Sequence, residues 1–246
     1  MRNIRLLLSY DGTDFKGWQI QAAGRTVQGV LEAALTELHR ERVPIHAAGR
    51  TDSGVHASGQ VVSFRSDHPS IPTEKFREAL NSRLPPDVRV HESREVPEDF
   101  HARYSARLRE YRYYLLPAAV APGYRQRYCH RLSRRPDLRV LNRMLAPLVG
   151  EQDFATFAAT RSAEENTVRR VHAASFHPSG PYLCFRIVAN GFLWKMVRSI
   201  IGTSLALADE ERPVAAFRNA LEARDRRRAG TTAPARGLFL YHVAYD

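Results

Sequence analysis

Val27-Gln-Gly-Val-Leu-Glu-Ala-Ala-Leu-Thr-Glu-Leu-His39 sets apolar side chains at Val27, Val30, Leu31, Ala34, Leu35 and Leu38, the spacing of one helical face. Thr26 stands directly ahead as the N-cap, so the helix starts at 27. Upstream, Asn3-Ile-Arg-Leu-Leu-Leu-Ser-Tyr10 reads as a strand with a partly continuous apolar run. Downstream come strand-like segments near 43–47 and 59–65. A helix over Thr73–Arg83 follows, stopped by Leu84-Pro85-Pro86, and then a strand over Val88–Glu95. The order is β-α-β-β-α-β, the split pattern of ferredoxin-like domains.

The second half repeats that pattern in element order only. Arg107–Leu116 alternates like a strand and Pro136–Val149 is an amphipathic helix. Strands at 168–177 and 181–189 pair around His177-Pro178-Ser179-Gly180. A helix over Phe192–Leu207, a shorter one near 213–224 and a closing strand over Gly237–Tyr245 complete the chain. The economical organisation is α+β, two ferredoxin-like or RRM-like lobes over 1–103 and 104–246, with a mainly antiparallel mixed sheet flanked by helices. At 246 residues the chain can bury a full core without staples.

No apolar run approaches the roughly 20 residues of a membrane helix, and the apolar stretch at the start is too short for a secretory signal. A soluble, cytoplasmic protein is expected. Cys129 and Cys184 are the only cysteines and stand in no paired motif, which excludes a disulfide framework and a thiolate metal site. Phosphate-loop and dinucleotide-binding glycine motifs are absent, and the histidines never fall in a zinc-protease spacing, so no nucleotide or metal cofactor is expected.

The formal charge of +11 is uneven: residues 1–100 carry a net −1 and residues 101–246 a net +12. Within 101–143, eleven arginines face only Glu110 and Asp137, interleaved with Tyr104, Tyr111, Tyr113, Tyr114, Tyr124 and Tyr128. Guanidinium forks suit phosphate oxygens and tyrosine rings suit unpaired bases, so nucleic acid is the leading partner class. A solvated, arginine-rich face is the plainer alternative, since 34 of the 37 cations are arginine.

Three segments could carry chemistry. Gly49-Arg-Thr-Asp-Ser-Gly-Val-His-Ala-Ser-Gly59 joins two expected strands and is built almost wholly of small residues around Arg50 and Asp52. Taken alone, an Asp in such a context is most often a turn residue. Eleven residues is nevertheless long for a plain strand connection, and loops of that kind tend to be functional. Asn190-Gly-Phe-Leu-Trp-Lys-Met-Val-Arg-Ser-Ile-Ile-Gly202 has apolar residues around most of a helical circumference, so the helix should be largely buried, Trp194 included. Arg198 sits amid them and needs an anion, for which Asp52 or another carboxylate would serve, unless it snorkels to the surface. In Arg109-Glu-Tyr-Arg-Tyr-Tyr114, a strand puts Tyr111 and Tyr113 on one face, where core packing alone would account for them.

Together these segments resemble the tRNA pseudouridine synthase A family. The run Gly49–Ala57 matches the family's catalytic motif throughout. Further matches span the chain: Asp11-Gly-Thr, Gly17-Trp-Gln, Arg25-Thr-Val-Gln-Gly29, Asn81-Ser-Arg-Leu-Pro85, Phe100-His-Ala-Arg103, Tyr111-Arg-Tyr113, Met196-Val-Arg198 and Gly237-Leu-Phe-Leu240. Ala235, where the family usually has proline, and Arg109, where lysine is common, depart from it. The resemblance implies the pseudouridine synthase fold, isomerisation of uridine at positions 38, 39 and 40 of the tRNA anticodon stem-loop, and a homodimer holding tRNA. It also implies Asp52 as the nucleophile, Tyr111 stacked on the target uracil, Arg198 paired with Asp52, and Arg50 extruding the base or filling its place. Tyr111 is also a candidate for moving the C5 proton. A non-catalytic RNA binder would show an aromatic RNP signature, which the chain lacks. A nucleobase hydrolase would share the nucleophile but release free base.

If the 101–143 stretch tracks RNA, neutralising Arg125, Arg127, Arg131, Arg134 and Arg135 weakens tRNA binding and flattens its salt dependence. Filter binding at several salt concentrations measures this, and an unchanged slope would place the stretch away from RNA.

Overall fold

The computed structural model describes residues 1–117, 123–159 and 166–246. By contact density the chain divides into two compact units, Met1–Arg107 with Phe239–Asp246, and Leu108–Leu238.

The first unit contains β1 (Arg2–Tyr10), α1 (Val27–His39), β2 (Ile45–Ala47), β3 (His56–Ser66), α2 (Phe76–Asn81) and β4 (Val88–Val96). β1 runs antiparallel between β3 and β4, with Leu6 opposite Val62 on one side and Ser93 on the other. β2 adds to β3, His46 opposite Ser63, so the order β4-β1-β3-β2 is the ferredoxin-like sheet expected from the element order. Alternate β1 residues Ile4, Leu6, Leu8 and Tyr10 are buried, as are Leu31 and Leu35 of α1 and Phe76 and Leu80 of α2. Phe64 of β3 meets Phe76 edge-on at 5.5 Å, and His39 stacks on Phe76 at 5.8 Å, seating both helices on one sheet face. Thr26 caps α1, its Oγ1 accepting from the Gly29 N–H at 3.2 Å.

The second unit holds β5 (Leu108–Pro117), β6 (His130–Leu132), α3 (Leu138–Leu145), β7 (Gly150–Asp153), β8 (Val168–Ser179), β9 (Tyr182–Ala189), α4 (Met196–Leu207) and α5 (Pro213–Glu222). Its sheet runs β5-β9-β8-β7, all antiparallel, with short β6 parallel on β5. Tyr113, Leu115, Phe185 and Ile187 point to one face and are fully buried. Asn142 of α3 brackets the Phe176 backbone, giving its amide N–H to the carbonyl at 2.9 Å and accepting the Phe176 N–H at 2.8 Å. On the opposite face Glu110 is held between Arg112 at 2.7 Å and Arg186 at 2.8 Å.

Several boundaries differ from the sequence reading. β3 begins at His56, so the Asp52 connection is residues 48–55 and not the longer 49–59 loop; Ala57 pairs with Tyr10, and Ser58 and Gly59 lie within the strand at a break in its register with β1. The expected helix at 192 starts only at Met196, because Lys195 adopts a left-handed backbone (φ 63°) that interrupts it. The expected helices at 73–83 and 136–149 each change pitch, with 3₁₀ turns at Thr73–Lys75 and Ala146–Leu148. β6 and β7 are short strands for which the pattern gave no signal.

The chain closes with β10 (Leu238–Ala244), parallel to β3 with Phe239 opposite His56 and Leu240 opposite Ala57. A Cβ at position 59 would lie 2.3 Å from the Tyr241 carbonyl oxygen, so only glycine lets β3 and β10 approach this closely. Gly59→Ala should therefore destabilise the fold by about 1–3 kcal/mol. Calorimetry should show a melting temperature lower by roughly 2–10 °C.

Candidate active site

Asp52 sits on the 48–55 loop, and the backbone on either side of it is tied down at almost every residue. The Ala48 N–H bonds the Val61 carbonyl at 2.8 Å, and the buried Gln60 amide donates to the Gly49 carbonyl at 2.8 Å. Tyr10 Oη and Thr51 Oγ1 lie 2.7 Å apart, both buried. Burial pushes the Tyr10 phenol well above its usual range, against the bonds from Thr51 and Gln60, so it stays neutral.

The 11–20 segment backs this loop. The Trp18 N–H donates to the Thr51 carbonyl at 3.0 Å, and the Phe15 carbonyl accepts from Ser53 Oγ at 3.2 Å and the Gly54 N–H at 3.3 Å. Gly17 has φ +98°, and a Cβ there would sit 2.8 Å from the Thr51 carbonyl oxygen; one at Gly12 would sit 2.0 Å from that of Val55. The segment is itself anchored by Arg25, whose guanidinium bonds both Asp87 oxygens at 2.5 and 2.8 Å and lies 4.1 Å over the Phe15 ring. His56, fully buried, closes the loop: Nδ1 accepts the Gly12 N–H at 3.0 Å with Asp11 Oδ1 3.2 Å away, and the ring stacks on Phe239 at 4.6 Å. Against this frame Asp52 is half-buried and Arg50 exposed.

The second unit carries Tyr111 and Arg198. Tyr111 of β5 is 9% exposed and meets Phe192 edge-to-face at 5.0 Å. Tyr113 is fully buried and donates its hydroxyl to the Pro234 carbonyl at 2.8 Å. Burial raises the Tyr113 phenol, and the Arg198 and Arg236 charges oppose that rise. Arg198 of α4 is half-buried, not enclosed as the pattern implied, and its Nε donates to the Ala233 carbonyl at 2.7 Å. Returning the bond, the Ala233 N–H donates to the Arg198 carbonyl at 3.1 Å. α4 is held close by Gly202, where a Cβ would stand 1.7 Å from the Thr231 carbonyl oxygen. Trp194 is 45% exposed, against the expectation of burial.

The four residues singled out thus divide evenly: Arg50 and Asp52 share one loop of the first unit, while Tyr111 and Arg198 belong to the second. What the sequence reading did not assign is the support: Tyr10, Phe15 and Gln60 were not singled out, and His56 and Tyr113 stood inside quoted motifs without a bracing role. Glycine at 12 and 17, a mark of close backbone approach, is a signal that could have found the bracing segment. The basic stretch is also less naked than its composition implies. Arg112 is paired with Glu110, Arg107 with Asp246 at 2.6 Å and Arg134 with Asp209, and Arg109 bonds the Asn190 carbonyl. Among the described residues, no group of three or more His, Cys, Asp or Glu could hold a metal ion, and no helix is long and apolar enough to cross a membrane.

A family profile described as tRNA pseudouridine synthase matches residues 7–105 and 144–246. A tRNA pseudouridine synthase A of Geobacillus kaustophilus (strain HTA426) is 42% identical over 247 residues, covering 100% of this chain and 95% of that protein. Proteins of the same name from Treponema denticola and Halalkalibacterium halodurans are each 43% identical, covering 99% and 97% of this chain and 93% and 90% of theirs. The chain belongs to the tRNA pseudouridine synthase A family, isomerases that act on tRNA.

Tyr10→Phe keeps the buried ring but strips Thr51 of its partner. It should cost about 1–2 kcal/mol of stability. Turnover should fall several-fold with RNA affinity unchanged, as single-turnover kinetics beside a binding titration would read.

Proposed function

We propose that this chain isomerises uridine to pseudouridine at positions 38, 39 and 40 of the tRNA anticodon stem-loop, with Asp52 as the nucleophile. The observation that carries this is the Asp52 loop: a half-buried carboxylate on a backbone braced by Tyr10, Gln60 and the 11–20 segment, inside the run Gly49–Ala57. Pre-set geometry of this kind is what a reacting group needs.

The chemistry balances without a redox partner. The N1–C1′ bond breaks, the uracil turns, C5–C1′ forms, and the proton lost from C5 is matched by one gained at N1. A carboxylate can hold the sugar or base as a covalent adduct during such a cleavage, as retaining glycosidases do. In this reading Arg198 pairs with Asp52 and favours its charged form. Tyr111 stacks on the extruded uracil, and Arg50 helps extrude it or fills the vacated stack, offsetting an unstacking cost of a few kcal/mol. Support for Tyr111 in this role is its position: it alternates along β5 with the Glu110–Arg112 pair, shares a strand face with Tyr113 and meets Phe192. A cytoplasmic homodimer that needs neither nucleotide nor metal completes the reading, with the N-terminal lobe contributing the Asp52 loop and the C-terminal lobe the base platform.

Unmodified tRNA tritiated at C5 of uridine provides the test. Wild type should release tritium to water without forming free uracil, while Asp52→Asn should bind tRNA normally and release none. Turnover by Asp52→Asn would remove Asp52 from the mechanism, and free uracil would make the protein a hydrolase.

A further inference from the structure

Residues 190–195 form a short segment between β9 and α4 that is fixed at both ends. The Asn190 carbonyl accepts from Arg109 Nη1 at 2.8 Å, its N–H donates to the Arg170 carbonyl at 3.1 Å, and its Oδ1 accepts the Arg170 N–H at 3.0 Å. At the other end the Ala159 N–H donates to the Trp194 carbonyl at 2.9 Å and the Met196 N–H to that of Leu193 at 3.1 Å. Between these ties Phe192 meets Tyr111, and two residues later Trp194 leaves 45% of its surface in solvent. Lys195 then takes a left-handed backbone (φ 63°, ψ 4°) and carries its ammonium 4.8 Å from the Trp194 ring centroid.

Each feature is costly to keep for packing alone. A large exposed indole forgoes burial, and a non-glycine residue in the left-handed region stores of order 1 kcal/mol. The start of the segment is cationic: Arg109 and the Arg170 backbone bond Asn190, Arg169 Nε lies 3.5 Å from where a Cβ on Gly191 would stand, and Glu151 is 3.7 Å from Arg170. An exposed aromatic ring with an ammonium beside it, on a segment whose other end is lined by arginines, is an arrangement that receives nucleobases and their phosphates. We propose that Trp194 stacks on a nucleobase next to the target uridine while Lys195 meets an adjoining phosphate, making the 190–195 segment a second RNA contact beside Tyr111. The inference rests on the reading that the uridine lies against Tyr111.

Trp194 and Trp18 are the only tryptophans, and Trp18 is 3% exposed, so the acrylamide-quenchable emission belongs to Trp194. Binding of an unmodified stem-loop RNA should quench this emission and protect it from acrylamide, and Trp194→Phe should abolish the signal while keeping affinity. Trp194→Ala should raise KM for the RNA by roughly 5- to 100-fold with kcat at saturation little changed. Lys195→Gly relieves the backbone, so the fold should be at least as stable while the salt dependence of binding falls by about one phosphate contact. Normal turnover with no change in Trp194 emission, or a Trp194→Ala affinity within twofold of wild type, would overturn the proposal and leave the isomerase reading intact. Absence of tritium release by wild type would instead strike at that reading.

Discussion

The carbonyl oxygens of Thr51 and Val55 occupy the space that Cβ atoms at positions 17 and 12 would need. This steric constraint orders the edge of the first unit that carries Asp52. Because both positions are glycine, the 11–20 segment can lie against the Asp52 loop at backbone distance. It exchanges N–H and C=O bonds through Phe15, Trp18, Ser53 and Gly54. The loop needs neither helix nor strand of its own to become rigid. Its polar backbone groups are satisfied from outside, the Gly49 carbonyl by the Gln60 amide, the Thr51 carbonyl by the Trp18 N–H and the Gly54 N–H by the Phe15 carbonyl. Tyr10 holds the Thr51 hydroxyl, and His56 takes the Gly12 N–H. Arg25, bonded twice to Asp87 and laid over Phe15, keeps the bracing segment itself in place.

The second unit uses a different device for a similar end. Arg198 is oriented by the 226–233 segment, which crosses close to α4 because Gly202 admits its backbone. That segment is locked by Arg226 to Gly230 and Thr232, by Thr203 Oγ1 to the Gly230 N–H, and by the reciprocal Arg198–Ala233 pair. Tyr113 bonds Pro234 from the sheet below, so strand, helix and strap share one hydrogen-bonded seam. The Glu110 network on the other face of β5 has two guanidiniums on one nearly buried carboxylate. Burial raises its pKa, but Arg186 and Arg112 more than offset this and hold it below the usual carboxylate range. That contribution to stability is present above the unfolded-state pKa and is lost as pH falls through the folded one.

Much of the candidate site was legible in the sequence because its residue types are unusual for their places. An Asp and an Arg among glycines, and an Arg inside an apolar run, both stand out against the packing pattern. Trp194 was misread for the same reason that the helix start was. Periodicity assumes a continuous helix, but the left-handed Lys195 delays its start to Met196, and ahead of it Leu193 is buried while Trp194 turns to solvent. The support residues were illegible because Tyr10, Gln60 and His56 occupy ordinary strand positions, and what they bond lies 41 to 44 residues away for Tyr10 and His56.

By itself the sequence determined the α+β class, the β-α-β-β-α-β order of the first unit and the helix from Val27 to His39, since period and capping are local properties. It also determined the family, through motifs spread along the whole chain. Only the tertiary structure decided that Phe239–Asp246 groups with the first unit, its strand lying parallel to β3. Only there, too, was it decided how far the Asp52 loop extends, which hydroxyl and amide hold it, and that Trp194 meets solvent. Those outcomes depend on backbone surfaces from distant segments meeting at van der Waals distance, and no local pattern of residue types encodes which segments will meet.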